Sequence, residues 1–268
     1  MIRKPLVAGQ FYPADPGQLK DLLSEFMPEN LSPHKAFLAV APHAGYVYSG
    51  RLAGQVLGGV EVPPHVLLIG PNHRGTEAAN AALADYQAWQ TPLGQVPTDT
   101  DMQEKLLAAS PLLKLDNRAH IQEHSLEVML PFLQFINPRV KICALSLGML
   151  SWPQVEELAL ALAAAIGQLP QPALILASTD MSHYLNAREA ARLDKMAIEK
   201  ILAMDPRGLY QVVAENHISM CGMLAVSLGL KTALFLGAGQ AELVGYTNSG
   251  VVSNDFRQVV GYAGVIAQ

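Results

Sequence analysis

Four histidines, an aspartate and a cysteine stand where a folded chain could use them chemically. His43 follows an apolar run at 36–41, in Ala41-Pro42-His43-Ala44-Gly45-Tyr46. His73 follows a second run at 66–69, in Gly70-Pro71-Asn72-His73-Arg74. A third run, 173–177, leads into Ser178-Thr179-Asp180-Met181-Ser182-His183. Each histidine lies just past the C-terminal end of a short hydrophobic run, and in an open α/β sheet that edge is where ligands bind. Imidazoles gathered there could ligate a metal ion or move protons.

Asp180 lies three residues before His183. A carboxylate beside an imidazole raises its basicity and fixes its tautomer; the competing reading is an N-cap aspartate and a solvent-facing histidine. In Glu123-His124-Ser125, Ser125 can cap a helix whose N-terminus favours nearby anions, and His124 reads equally as facing the edge or filling a loop. Cys221 follows Ser219-Met220 and precedes Gly222 at the start of an apolar helix. Helix N-terminal amides lower a thiol pKa, and the thiolate is both nucleophile and metal ligand; a buried inert cysteine is the alternative. Two imidazoles and one thiolate would leave an ion with open positions, a donor set that suits zinc, copper or iron. His34 and His65 fall at strand entrances, on the opposite edge, and read as structural. No cysteine ladder, phosphate-binding glycine loop or G-x-S-x-G elbow competes for the role.

The elements that must position these residues alternate between strand and helix. Asp15-Pro16 reads as an N-cap and first-turn proline, followed by Leu19, Leu22, Leu23 and Phe26 at helical spacing and an end near Pro28. The runs at 36–41 and 66–69 are apolar without alternation, as strands covered on both faces are, with a helix opening at Ser49 or Gly50 between them. His43 and His73 are thus one βαβ repeat apart. If their strands are adjacent and parallel, both rings reach one edge. A hairpin or edge strand is expected at 79–94, and a helix at 99–109. Ser125 is expected to cap a helix striped by Leu126, Met129, Leu130, Leu133 and Ile136 and bent at Pro131. A strand at 140–147, a helix from Pro153, helices at 187–204, after Pro206 and near Cys221, and strands at 241–246 and 259–266 complete an α/β chain.

With 268 residues, half of them hydrophobic and 15% charged, the chain can bury a large core, and no repeat or linker divides it, so a single domain over 1–268 is expected. A net charge of −5 offers no footprint for nucleic acid or an anionic membrane. No apolar run approaches the roughly 20 residues of a membrane span, and the start lacks a signal-peptide core; a cytoplasmic address is expected. Of the two cysteines, Cys143 falls in a buried strand and reads as a core residue, and a disulfide between them is disfavoured in a reducing compartment.

The segments Val7-Ala8-Gly9-Gln10-Phe11-Tyr12-Pro13, Pro42-His43-Ala44-Gly45-Tyr46, Gly70-Pro71-Asn72-His73, Glu123-His124-Ser125-Leu126-Glu127 and Ser178-Thr179-Asp180-Met181-Ser182-His183 together resemble the Memo family, whose prokaryotic members are called AmmeMemoRadiSam system protein B. The resemblance runs to Val259-Val260-Gly261-Tyr262-Ala263. It implies a single α/β domain, a three-layer sandwich around a mostly parallel or mixed sheet, similar to class III extradiol dioxygenases. By that resemblance His43 and His73 match the two iron histidines of those enzymes and His183 their acid–base histidine; in an oxidoreductase of this kind Asp180 and His124 are expected to orient or polarise. Their third iron ligand is a glutamate, whereas the Memo pattern and this sequence offer Cys221. The implied cofactor is iron(II), with copper or zinc as alternatives, and the implied activity is redox or dioxygenase-like chemistry on a small substrate. A zinc hydrolase, or a peptide- or protein-binding module on the same edge, are the competing functions. Radical-SAM and AMMECR-type pathway partners are also implied. The tail departs from the family's usual Ser-Gly-Asp and Gly-Asp, with Asn248-Ser249-Gly250 followed by Val251-Val252-Ser253-Asn254-Asp255.

Overall fold

The computed structural model describes residues 1–27, 32–75 and 79–268. In chain order the elements are β1 (Ile2–Arg3), α1 (Pro16–Phe26), β2 (Leu38–Ala41), α2 (Tyr46–Gly58), β3 (His65–Pro71), β4 (Ala81–Leu83), β5 (Ala88–Thr91) and β6 (Gly94–Pro97). Then come α3 (Thr100–Ala109), β7 (Leu113–Leu115), α4 (Arg118–Ile121), a 3-10 turn (Glu127–Met129), α5 (Leu130–Ile136), β8 (Lys141–Leu147), α6 (Trp152–Ile166) and β9 (Ala173–Ser178). The remainder is β10 (His183–Leu185), α7 (Ala187–Leu202), α8 (Pro206–Glu215), α9 (Met223–Leu236), β11 (Ala241–Asn248), α10 (Gly250–Ser253) and β12 (Val259–Ala267). The loop expected from residue 30 falls partly outside the described residues.

A nine-stranded mixed sheet forms the centre, in the order β10-β12-β2-β9-β3-β8-β4-β7, with β11 also paired to β12. Its middle is a parallel block, β2-β9-β3-β8. Antiparallel β12 and β4 flank the block. The block strands are apolar throughout because both of their faces are covered. On β2, Leu38 and Val40 join one core with α3 and α6–α9. Ala39 and Ala41 face a second core with α1, α2 and α5. The period-2 alternation of a strand divides its side chains between the two layers. A separate three-stranded sheet, β1-β5-β6, contains the tight β5–β6 hairpin.

Two expectations are corrected. The strands bearing His43 and His73 are parallel but not adjacent: β9 sits between them, so the crossover through α2 skips one place. The third histidine-bearing run therefore occupies the middle of the edge. The helix expected from Ser125 is broken into the 3-10 turn and α5. Ser125 makes no cap; its amide goes to the Glu123 carboxylate, 2.8 Å away. Pro131 lies in the first turn of α5, where a missing N–H is not needed, and so it starts that helix instead of bending one. Cys143 is fully buried in β8, and both cysteines are free.

Leu176, in the middle of β9, is fully buried and packs in the α1–α2–α5 core. Leu176→Ala is expected to destabilise the chain by about 2–5 kcal/mol, read as a lower urea midpoint with an unchanged m-value.

Candidate metal centre

The register of the parallel block builds the site. Ala41 pairs with Ser178, and Ile69 with Ala177, so β2, β9 and β3 end nearly level. Just past those ends, the Thr179 amide donates to the Ala41 carbonyl at 3.0 Å and the His43 amide to Asp180 Oδ1 at 2.9 Å. The turn before α9 then delivers Cys221 from the other side. Gly222 makes that approach feasible: a Cβ there would lie 2.5 Å from both the Ser178 carbonyl oxygen and the Thr179 Cβ.

His43, His73 and Cys221 each offer a ligand atom within 4.8 Å of the others. Cys221 Sγ lies 3.3 Å from His43 Nε2. The hydrogen-bond network assigns the tautomers. Ser178 Oγ donates to the Ser125 carbonyl at 2.8 Å, so it must accept from His43 Nδ1, also 2.8 Å away. His43 therefore carries its proton on Nδ1 and presents the Nε2 lone pair toward Cys221. His73 Nδ1 lies 3.0 Å from Glu123 Oε1, whose only available role is acceptor, so its Nε2 is likewise the nitrogen left free to ligate. An imidazole braced through its other nitrogen by a carboxylate or hydroxyl is the usual support for a metal-binding histidine.

His73, Glu123 and His124 form a second group of suitable spacing. The Glu123 oxygens, however, already accept from the His73 ring, the His73 amide and the Ser125 amide. Glu123 is thereby an orienting residue. Sequence reasoning quoted it only as part of a motif; its position directly before His124 was the available signal. Ser178, the last residue of β9, was missed in the same way.

His124 faces the edge, stacked on His73 at 5.2 Å and edge-on to His43 at 5.6 Å, with Phe11 against its other side at 4.8 Å. Asp180 and His183 do not form the hydrogen-bonded pair that their spacing suggested. Residues 181–182 run along β12, exchanging backbone bonds with Gly261. No hydrogen bond joins Asp180 to His183, although the charge of His183 acts on both Asp180 and His43. Asp180 Oδ2 turns toward His43 Nε2, 4.0 Å away. His183 is held by Ser219, whose hydroxyl accepts its amide at 2.8 Å and whose carbonyl accepts its Nδ1–H at 2.9 Å. His65 is bound to Asp99 and His34 lies near Glu242, both away from this group.

Electrostatics follow from burial. Desolvation, helped by His73 and His124, lowers His43 well below the ordinary histidine range and keeps it neutral. Burial also lowers His124, despite Glu123. Burial would lower His73 too, but the hydrogen bond and charge of Glu123 win and raise it. Burial pushes Asp180 up to about 6 against the His43 and Ala44 amides. The Cys221 thiol was expected to be acidified by a helix N-terminus. Instead burial and Asp180 push it up to about 12, outweighing the amides of Asp180 and Gly222. The reason is placement: Cys221 precedes the N-cap, Gly222, and lies outside the first turn of α9.

The molecule is therefore an α/β protein with a helix-flanked mixed sheet and a His-His-Cys group, able to hold a metal ion, at the C-terminal edge of its parallel strands. The model of the Memo-like protein family matches residues 3–266, and the chain belongs to that family. A MEMO1 family protein of Aquifex aeolicus is 38% identical over 269 residues, covering 99% of this chain and 98% of its own. One from Archaeoglobus fulgidus is 39% identical, with 99% of each chain covered. The crystal structure of an uncharacterized protein, JW3007, from Escherichia coli K12 superposes with a TM-score of 0.53 over 84% of this chain and 98% of that one, at 13% identity; it shares the fold. Among the described residues no helix is long and apolar enough to cross a membrane.

Glu123 and His73 give the metal-free protein a signature in pH. Burial would raise Glu123, but hydrogen bonds from His73 and from the Ser125 amide hold it well below the carboxylate range. Its contribution to stability is full above the unfolded value of about 4.3 and is lost as pH falls. His73, raised, contributes fully below about 6.5 and loses that contribution as pH rises through its folded value. Glu123→Gln is expected to cost about 1–3 kcal/mol. The gap from wild type should be widest between about pH 4.5 and 6.5 and should narrow on either side. Urea unfolding of metal-free protein across pH checks this.

Proposed function

We propose that the chain is a metal-dependent oxidoreductase related in fold to class III extradiol dioxygenases, acting on a small substrate. The observation that carries this reading is the donor set: two imidazoles braced through Nδ1 and one thiol, with all three ligand atoms within 4.8 Å. His43, His73 and Cys221 would hold the ion, iron(II) first and copper second. Three protein ligands are the pattern of reactive sites, whereas structural sites are closed by four. A redox-active ion held there supplies Lewis acidity and one-electron chemistry to a bound substrate oxygen.

The chain's own groups have separable tasks. His183 keeps its Nδ1 proton on the Ser219 carbonyl, so Nε2 is free to take or return a proton. Asp180, with a carboxyl near 6, faces the ligand edge and can hold a second proton close to neutral pH. His124, neutral and wedged between Phe11 and His73, closes one wall and orients what binds there. A thiolate is a softer donor than a carboxylate, so Cys221 shifts metal preference and potential away from those of a two-histidine, one-carboxylate site.

The test is elemental analysis and single-turnover redox titration of protein loaded anaerobically with iron(II). About one ion per chain is expected, and no retained ion would end the reading. A redox-silent ion supporting hydrolysis would instead favour zinc. Cys221→Ser should weaken ion binding by roughly a hundredfold or more, beyond the loss usual for residues behind the ligands. His183→Gln should retain the ion and lose proton-coupled turnover. Because the thiol sits near 12 before binding, it must lose its proton to ligate, so metal uptake at pH 7 should release about one proton or more per ion. Calorimetry in buffers of different ionisation enthalpy measures that release.

A further inference from the structure

Arg3 lies far from the sheet edge in sequence and touches none of the three candidate ligands, yet its guanidinium is almost wholly buried, with 4% of the residue exposed. Its Nε donates to the His120 carbonyl at 2.9 Å, Nη2 to the Glu123 carbonyl at 2.6 Å, and Nη1 to Glu127 Oε2 at 2.6 Å. Its flat face lies 4.3 Å over the Trp89 ring. Fully buried Glu127 is also bound by the amides of Leu6 and Val7 and by the Tyr12 hydroxyl at 2.8 Å. One ion pair thus sews residues 3–12 onto residues 120–127. Phe11, on the same strap, packs against His124.

The stretch between α4 and the 3-10 turn has only scattered local bonds, such as Glu123 N–H to the His120 carbonyl and Ser125 N–H to Glu123, so contacts from other segments help to fix it. It carries Glu123, which sets both the ring and the amide of His73. We propose that Arg3 is a positioning residue for the His73 side of the metal centre: its fork fixes the backbone of the 120–127 loop, and the loop fixes the carboxylate that holds His73. The proposal rests on the reading of His73 as a ligand. Three acceptors in different directions require the planar five-donor fork of arginine, which a lysine ammonium reproduces only in part.

The probe is cobalt(II), whose visible bands report ligand geometry and whose affinity is measured by chelator competition. Arg3→Gln is expected to weaken cobalt binding by about 10–100-fold, the usual cost of losing a group behind the ligands, and to shift the bands. Arg3→Lys should recover part of both. Tyr12→Phe, a milder change that removes one donor from Glu127, should move the bands in the same direction if Arg3→Gln does not fold. Leu158→Ala, buried under the opposite face, should lower the melting temperature without changing the bands or the affinity of the folded protein. In metal-free protein the His73 Nδ1–H resonance should be protected from exchange in wild type and lost in Arg3→Gln. Native cobalt affinity, bands and His73 proton protection in folded Arg3 variants would overturn the proposal. A wild type that binds no cobalt but shows the His73 proton effect would overturn the metal reading alone.

Discussion

The site depends on the register of three parallel strands. β2, β9 and β3 are buried on both faces, and a slip of one residue would exchange the side chains of the two cores. That register cannot drift, and it brings the ends of the strands level to within a residue. Ser178 closes β9, and His43, Asp180 and His73 sit in the first turns beyond, held by bonds that continue from the sheet, such as Thr179 N–H to the Ala41 carbonyl and His43 N–H to Asp180. A ligand set assembled from loops alone would need each loop ordered separately; here the sheet orders them together.

Behind that edge the polar groups are arranged so that little is left to choice. Ser178 and Glu123 each take an Nδ1 proton and so aim an Nε2 lone pair forward, while Ser219 does the same for His183. In a low-dielectric setting these bonds are strong, and an unpaired partner would be costly. The same burial keeps His43 neutral and the thiol protonated until a cation pulls the proton away. An ion bound there would therefore be coupled to proton release as a consequence of where the thiol is buried.

Much of this was legible in the residues. Apolar runs without alternation marked the central strands, Asp15-Pro16 marked the start of α1, and the strand-end histidines marked the edge. Those are local signals, because each depends on neighbours close in sequence. What was misread depended on contacts made elsewhere. Ser125 looked like a cap, but Glu123 claimed its amide. Asp180 looked like the hydrogen-bonded partner of His183, but the His43 amide took its Oδ1 and the Ser219 carbonyl took the His183 Nδ1 proton. Cys221 looked acidified by a helix, but it lies outside the first turn and is desolvated by its surroundings.

By itself, then, the sequence determined the α/β class, the strands, and which residue types stand at their ends, since periodicity and turn chemistry are written in order along the chain. Only the tertiary structure decided that β9 passes between β2 and β3. The same holds for the arrival of Cys221 beside His43 from 178 residues away and for the buried fork of Arg3 reaching the loop of Glu123. Those placements arise from packing and from the pairing of buried donors with acceptors, which operate between segments distant in sequence and leave no periodic trace along it.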